Sequence, residues 1–273
     1  MTVDPSSEIH ASAVVEPGAK IGPGCKIGPY SVIGPDVHLV RDVDVKAHVV
    51  LDGLTTIGAD TTIFSFASIG VEPQNVRYRG ERTRLVIGDR NRIFQYATIC
   101  VGTVDGGGVT EIGNDCMLMI GAHVAHDCKV GDHVVMVNYA AIAGHCTVGD
   151  HVTIGAQAGV HQRCRIGEGA MVGGHAAVAR DVIPYGTVYG ERATLRGLNI
   201  VGLRRRGIEP SEVRKFQSAF QAIFRNSGNI RDSAKEFMDL ADSNDQIREM
   251  VEFILDGGTR NLCTPGPIDD PEE

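Results

Sequence analysis

The sequence predicts a mainly β protein, a parallel β-helix of about nine to ten coils, followed by a small α-helical domain. Three observations support this fold class. A large aliphatic residue recurs every six positions from Val3 to Ile69 without a failure, and a small or β-branched residue recurs four positions after most of them. The chain also holds 34 glycines and no tryptophan, which is unusual for a core packed from helices and open sheets. A repeating architecture is therefore expected.

The first element is the hexad itself, as in "IGPGCKIGPYSVIG" at residues 21–34. Helices repeat near 3.6 residues and strands at two, so a period of six indicates one short strand plus one corner. Three such sides close a triangular coil of 18 residues. Stacked coils then pair as parallel strands roughly 4.8 Å apart. A right-handed solenoid with less regular coils is the alternative architecture.

The second element is a block of hexads that resumes at Ile87, slips by one residue near 102–111, and continues from Ile112 to Val178. The stretch "VEPQNVRYRGERTRLV" before this block has no aliphatic residue at the expected positions. It predicts a protruding basic arm, or else a plain solvated loop. The slip "GTVDGGGVTE" lacks the glycine spacing and strand-to-helix context of a phosphate-binding loop.

The third element begins where the hexads fail, at Pro184. Apolar residues at helical spacing predict helices over 209–226, around 237–241 and over 247–255. The predicted domains are a β-helix domain at 1–190, a helical domain at 191–258, and a disordered tail at 259–273, where proline and acidic residues are frequent.

Composition excludes several classes of protein. A net charge of −8 argues against general nucleic-acid binding, which needs a basic face. The sequence lacks a signal-like start and an apolar run long enough to span a bilayer. Seven cysteines, an odd number, fit a reducing compartment better than a disulfide framework. We therefore expect a cytoplasmic protein with no membrane span.

Residues 18 apart should stack above one another, and this places polar side chains on one edge of the prism. His126, Gly144 and Gln162 form one column, and Asp127, His145 and Arg163 form its neighbour. We expect both columns to be exposed, because the triangular repeat does not require them; plain surface histidines are the alternative. Three cysteines also lie 18 apart, at the inward fifth position, where an apolar interior keeps a thiol protonated and inert: Cys128, Cys146 and Cys164.

Combined motifs resemble a known family: "GAHVAHDC", "AGHC", "GVHQ", "MVGG", "GLNIVGLRRRG", "IGDRNRI" and "GTVDGGGVT". They are similar to those of the acyl-carrier-protein-dependent UDP-N-acetylglucosamine O-acyltransferases of lipid A synthesis, a branch of the hexapeptide-repeat acyltransferases. The resemblance covers residues 3–256. It implies a left-handed β-helix, a homotrimer with sites between neighbouring prisms, and transfer of an R-3-hydroxyacyl chain to the glucosamine 3-position of UDP-N-acetylglucosamine. It also implies no cofactor, since phosphopantetheine on the acyl-carrier protein holds the acyl donor.

The resemblance also implies roles for individual residues. His126 matches the general base, Asp127 its orienting partner, and Gly144 the backbone N–H that receives the thioester oxyanion. Gly174 matches the position that limits acyl length, at around C12–C14. The implied substrate-binding residues are Gln74, Arg77, His123, His145, Gln162, Asn199, Arg205 and Arg206.

Some residues depart from the family pattern. Asn75 and Val201 replace acidic residues near the sugar and ribose, and Arg192 replaces a histidine, so the 3-position acceptor is either oxygen or nitrogen. The related N-acyltransferase of the same pathway has an additional N-terminal domain, for which hexads that begin at Val3 leave no room. Three alternatives stay open: another hexapeptide acyl- or acetyltransferase, a γ-carbonic-anhydrase-like enzyme with zinc on His123, His126 and His145, and a scaffold without activity.

Overall fold

A computed structural model describes residues 2–225, 229–241 and 244–266. Three parallel sheets of nine, eleven and nine strands form the sides of a triangular prism. Up to residue 178, successive strands along the chain belong to sheets 1, 2 and 3 in turn, and each pairs in parallel with the strand one coil away. The molecule is thus the predicted left-handed parallel β-helix.

The strands are numbered in chain order, and most have two residues. Sheet 1 contains β1 (Thr2–Val3), β4 (Lys20–Ile21), β7 (His38–Leu39), β10 (Leu54–Ile57), β13 (Arg84–Ile87), β16 (Val109–Ile112), β19 (Lys129–Val130), β22 (Thr147–Val148) and β25 (Arg165–Ile166). Sheet 2 contains β2 (Glu8–Ile9), β5 (Lys26–Ile27), β8 (Asp44–Val45), β11 (Thr62–Ile63), β14 (Arg92–Ile93), β17 (Met117–Leu118), β20 (Val135–Met136), β23 (Thr153–Ile154), β26 (Met171–Val172), β28 (Gly186–Tyr189) and β29 (Thr194–Leu198). Sheet 3 contains β3 (Val14–Val15), β6 (Val32–Ile33), β9 (Val50–Leu51), β12 (Ser68–Val71), β15 (Thr98–Cys100), β18 (His123–Val124), β21 (Ala141–Ile142), β24 (Gly159–Val160) and β27 (Ala177–Val178).

The core is a set of vertical columns of aliphatic side chains. Ile63, Ile93 and Leu118 in successive coils of sheet 2 are fully buried and pair in register. The small residues at the fifth hexad position point inward beside them, as predicted. All seven cysteines are free and buried, and burial raises the pKa of the Cys116 thiol to about 11. Burial thus keeps the Cys116 thiol protonated in the core.

Most corners of the prism have left-handed backbone at the fourth position of the hexad. Asp127, His145 and Arg163 have φ of 61°, 62° and 64°. The left-handed backbone conformation costs non-glycine residues roughly 1–2 kcal/mol each. Here the contacts between stacked coils stabilise this conformation.

The two interruptions of the hexads leave the prism as loops. Residues 72–83 connect β12 to β13 as a projecting arm, with Val76 almost fully exposed at 92%. Residues 102–108 contain a single 3₁₀ turn, Val104–Gly106, before β16. The predicted protrusion is confirmed, and the second loop folds back over the prism.

The end of the chain differs in part from the sequence-based boundaries. The helices are α1 (Ile200–Arg205), α2 (Pro210–Arg225), α3 (Ile230–Lys235), α4 (Met238–Ala241) and α5 (Asp245–Asp256). Residues 194–198, which the sequence placed in the helical domain, form β29 and pair antiparallel with β28. Local apolar spacing does not reveal this hairpin, because its partner strand lies in the prism.

The tail also differs from the expected disorder over the part that the structure describes. Residues 259–266 run back over the prism, with Leu262 bridged to Asp181 and Cys263 buried. Residues 267–273 of the predicted tail lie outside the described residues. Within the described ranges, none of the helices combines the length and the apolar character that crossing a membrane requires.

Candidate active site

Two histidines and one aspartate meet at the edge between sheets 3 and 1. Nδ1 of His126 lies 2.7 Å from Oδ2 of Asp127, and Nδ1 of His145 lies 3.7 Å from the same oxygen. The two imidazole rings are perpendicular, with centroids 5.0 Å apart. Because an ionised carboxylate only accepts hydrogen bonds, we assign the proton to Nδ1 of His126. Nε2 then keeps its lone pair, as a general base requires.

Asp127 is buried, which corrects the expectation of an exposed column. The loop 102–108 covers it: the Thr103 N–H donates to Oδ1 at 2.7 Å, and the Thr103 hydroxyl donates to Oδ2 at 2.6 Å. Any Cβ on Gly106 would lie only 2.0 Å from the Asp127 carboxyl carbon, so this position requires glycine. The glycine-rich slip in the sequence thus shields the carboxylate from water.

Gly144 lies against the His126 ring one coil above. An added Cβ would be 2.7 Å from Cε1 and 2.9 Å from Nε2, closer than real side chains approach. Among the described residues, the Gly144 N–H donates to no protein acceptor. Glycine here leaves both room for the ring and a free backbone donor beside it.

Burial disfavours the protonated forms of His123 and His145. Burial lowers the pKa of His123, and the nearby His126 lowers it further. Nδ1 of His123 is 2.7 Å from the Thr98 hydroxyl, which fixes the ring. Burial also lowers the pKa of His145, opposed by the charge of Asp127. Neutral rings can position a hydroxyl substrate without adding charge to the site.

Two cavities meet at His126. The larger, about 1050 Å³, follows the outer face of sheet 3 and is mostly apolar. The smaller, about 440 Å³, lies beside the projecting arm. Of the predicted substrate-binding residues, the larger cavity contains His123; the smaller contains Arg77 and His145; and both contain Gln74 and Gln162.

The remaining predicted residues lie outside both cavities of their own chain. The Asn199 side chain caps α1 through the Gly202 N–H and donates to the Gly169 carbonyl. Arg206 forms an ion pair with Glu168 and lies over the Tyr185 ring, 5.4 Å from its centroid. Arg205 is exposed near the end of α1. Gly174 lies exposed on the edge between sheets 2 and 3.

The three departures from the family pattern have separate environments. The Asn75 side chain accepts from the Arg77 N–H and borders the smaller cavity. Arg192 borders the far end of the larger cavity. Val201 on α1 is 58% exposed. Sequence reasoning missed three residues that only the folded chain brings to the site: Thr103 at Asp127, His161 beside Gln162, and Arg260, which contacts both His161 and Gln162.

The residues His126, Asp127 and His145 also form a geometric group that could hold a metal, with ligand atoms within 4.8 Å of one another. The zinc alternative named His123 in place of Asp127. However, the Asp127 carboxylate already accepts three hydrogen bonds, from Thr103 and His126. A metal would have to displace these donors, so the donor set fits a hydrogen-bonded dyad better.

Comparisons with known proteins show the family to which the chain belongs. The model of the bacterial transferase hexapeptide (six repeats) matches residues 2–35, 18–53, 110–144 and 145–180, and that of "Udp N-acetylglucosamine O-acyltransferase; Domain 2" matches 181–263. The acyl-(acyl-carrier-protein)–UDP-N-acetylglucosamine O-acyltransferase of Caulobacter vibrioides is 52% identical, over 94% of this chain and 98% of its own. Its Azorhizobium caulinodans counterpart is 52% identical over 84% and 85%. A crystal structure of UDP-N-acetylglucosamine acyltransferase superposes with a TM-score of 0.91 and 37% identity, over 95% and 100%. The chain is therefore an acyltransferase that belongs to the UDP-N-acetylglucosamine O-acyltransferase family of hexapeptide-repeat transferases.

Proposed function

We propose that this enzyme transfers an R-3-hydroxyacyl chain from acyl-carrier protein to the 3-hydroxyl of UDP-N-acetylglucosamine, the first step of lipid A synthesis. The observation that carries the proposal is the His126–Asp127 dyad, with its 2.7 Å hydrogen bond, at the junction of two cavities. Two relatives that are 52% identical are named for O-acyl transfer between acyl-carrier protein and UDP-N-acetylglucosamine, which supports the proposal.

The proposed chemistry uses three groups of the chain: His126, Asp127 and the Gly144 N–H. Nε2 of His126 takes the proton of the sugar 3-hydroxyl while that oxygen attacks the thioester carbonyl carbon. The Gly144 N–H stabilises the resulting oxyanion. Collapse of the intermediate breaks the C–S bond, and His126 returns the proton to the thiolate. The products are the ester and the free phosphopantetheine thiol, with Asp127 stabilising the imidazolium in between.

The two cavities suit the two substrates. The larger cavity is lined mostly by alanine, glycine and aliphatic side chains, which favours the acyl chain. The smaller contains Arg77, and Arg163 also borders it. Guanidinium groups suit a diphosphate because of their planar donor fork. We assign this cavity to the sugar nucleotide, with Gln74 and Gln162 between the two substrates.

We further propose that the enzyme acts as a homotrimer. Asn199, Arg205 and Arg206 lie outside both cavities of their own chain, so they reach a bound sugar nucleotide only from a neighbouring subunit. Their surface, with Arg214 and Lys215 on α2, also offers positive charge to an acidic carrier protein. No cofactor is needed beyond the phosphopantetheine on the donor.

An acyl-transfer assay tests the proposal. Purified enzyme is incubated with R-3-hydroxyacyl carrier proteins and either UDP-N-acetylglucosamine or its 3-amino analogue, and products are identified by mass. We expect an ester of the 3-hydroxyl sugar, cleaved by mild base. Absence of transfer, or amide formed in preference to ester, would contradict the proposal. Zinc near one equivalent per chain, with activity lost on chelation, would favour the carbonic-anhydrase-like alternative.

A further inference from the structure

The last described segment, Thr259–Gly266, crosses the prism as an extended strap; we call it the C-terminal strap. Its backbone is hydrogen-bonded along its length. The Asp181 N–H donates to Asn261 O, the Cys263 N–H donates to Asp181 O, and the Leu195 N–H donates to Thr264 O, at 2.7–3.0 Å. Cys263 is buried at 1% exposure. The strap is thus part of the packed structure.

A buried ion pair anchors the start of the strap. The Asp181 carboxylate is fully buried and accepts from the Arg165 N–H at 2.9 Å and from Arg165 Nε at 2.7 Å. Nη2 of Arg165 donates to the Phe253 carbonyl, and the guanidinium lies 4.1 Å from the Phe253 ring centroid. The end of α5 and the strap are therefore held at one fixed point on sheet 1.

From this anchor the strap reaches the larger cavity. Nη2 of Arg260 lies 2.8 Å from Nδ1 of His161, and Nε of Arg260 donates to the Gln162 carbonyl at 3.1 Å. His161 and Gln162 line the cavity at the coil above Gly144. The strap then continues along the cavity, where Thr264, Pro265 and Gly266 form part of its wall.

The floor of the same cavity is a groove of small residues on sheet 3. One column, in register, is His123, Ala141, Gly159 and Ala177. Three rung spacings of roughly 4.8 Å make this floor about 14 Å long, which suits an aliphatic chain better than an acetyl group. The groove begins at His126 and ends at Arg192, Thr194 and the strap.

Gly159 has no structural reason to be glycine. It is exposed in strand β24, its φ is not in the left-handed region, and an added Cβ would meet nothing within 4 Å. Glycine weakens a strand and often marks a site where a ligand approaches closely. The missing side chain therefore leaves volume in the groove. Gly266 is similar: its Cβ would meet only Thr194, at 3.6–3.8 Å, an ordinary contact.

We propose that the C-terminal strap closes the far end of this groove, and that Gly159 on the floor and Gly266 on the strap determine the length of acyl chain that the enzyme accepts. The inference rests on the proposed function. It adds to that function two residues that select the acyl-chain length and one segment that closes the acyl groove. Arg260 holds the strap in position through His161 and contacts no reacting atom.

The experiment compares kcat/KM for C10 and C14 3-hydroxyacyl carrier proteins in single variants. Gly159→Val and Gly266→Leu each fill groove volume, so we expect the C14-to-C10 ratio to fall by about tenfold or more, as exclusion of two methylenes would give. Thr153→Val is the matched control, because Thr153 faces outward at a register position of sheet 2 away from the groove. Its ratio should equal that of the wild type.

Arg260→Ala gives the opposite change. With the strap released from His161, kcat/KM for C16 donors should rise relative to that for C14 donors. Arg260→Lys should restore part of the wild-type chain-length preference. If Arg260 had a purely structural role, Arg260→Ala would lower kcat/KM equally for donors of every chain length. If Gly159→Val does not fold, Gly266→Leu carries the test, since the strap lies outside the hexad core.

The outcomes separate this inference from the proposed function. A wild type that transfers no acyl chain overturns the proposed function, and this inference with it. A wild type that is active, with ratios unchanged in both glycine variants, overturns only the inference. A lower ratio in the glycine variants but not in Thr153→Val supports it.

Discussion

Nδ1 of His126 and Oδ2 of Asp127 lie 2.7 Å apart although the two residues are consecutive in the chain. Side chains of neighbouring residues in a strand point to opposite faces. Here the left-handed φ of 61° at Asp127 turns the carboxylate back towards the ring. The prism corner thus brings the two residues of the proposed catalytic pair together.

Replacing His126 with alanine should lower turnover by at least about 10²-fold, the lower end of general-base effects. His126 lies at a corner and not in the core, so the variant should stay folded, with a loss of unfolding free energy of about 1–3 kcal/mol at most because buried Asp127 loses one donor. Steady-state kinetics and thermal unfolding measure the two effects. His10→Ala is the control, because His10 is exposed and its ring hydrogen-bonds with the nearby Ser12. Unfolding of His126→Ala, or wild-type turnover in it, would contradict the assignment.

Replacing Thr103 with valine should reduce both turnover and stability while keeping the side-chain shape. The change removes the hydroxyl that donates to Asp127 Oδ2 at 2.6 Å and leaves a buried carboxylate one donor short. A buried group that loses its partner costs about 1–3 kcal/mol. Urea unfolding should show this loss of unfolding free energy, and kcat should fall severalfold. Full stability and full kcat would mean that the loop 102–108 does not support the dyad.

Replacing Gly144 with alanine should inactivate the enzyme without unfolding it. The new Cβ would lie 2.7 Å from Cε1 of His126 and push the ring out of position. We expect kcat to fall by about 10²-fold, since the proposed base and the proposed oxyanion donor are both disturbed. Ala143→Gly at the neighbouring position, which also lines the cavity, should keep most of its activity. Wild-type kcat in Gly144→Ala would show that the ring position is not critical.

Stability should fall as pH is lowered from about 7 through the ordinary histidine pKa near 6.5. Burial lowers the pKa of His123, His145 and His151 in the folded protein, so the unfolded chain binds more protons in this range. The stability that depends on neutral histidines is fully present above the pKa of histidine in the unfolded chain. It is lost as the pH falls towards the lowered pKa of these histidines in the folded protein. Melting temperatures measured between pH 7.5 and 5 should show the decline. His123→Gln should make the dependence shallower, and an unchanged slope would refute the cause.

Replacing Gly174 with methionine should shorten the preferred acyl chain without abolishing activity. An added Cβ meets only Ala156, at 3.4 Å or more, so the fold can accept the side chain. Because Gly174 lies outside the groove of its own chain, the effect would act on a chain bound by another subunit of the proposed trimer. Competition between donors of different length measures it. An unchanged profile would leave the groove and strap as the length-limiting elements.

The sequence alone predicted the prism and the composition of its columns. Because each coil has 18 residues, contacts between stacked coils repeat at a fixed spacing that can be read from the chain. The register partners His123, Ala141 and Gly159 follow this spacing, as does the stacking of Gly144 on His126. The helices α2 and α5 were predictable for a similar reason, since their apolar residues repeat locally.

Only the tertiary structure decided which elements cover those columns. Thr103 reaches Asp127 across 24 residues and a slip in the repeat, and Arg260 reaches Gln162 across 98 residues. Such contacts have no period, because a loop or strap is placed by whichever distant partners satisfy its hydrogen bonds and apolar side chains. The sequence therefore determined where the dyad stands, and the fold decided that its carboxylate is buried and that its groove is closed.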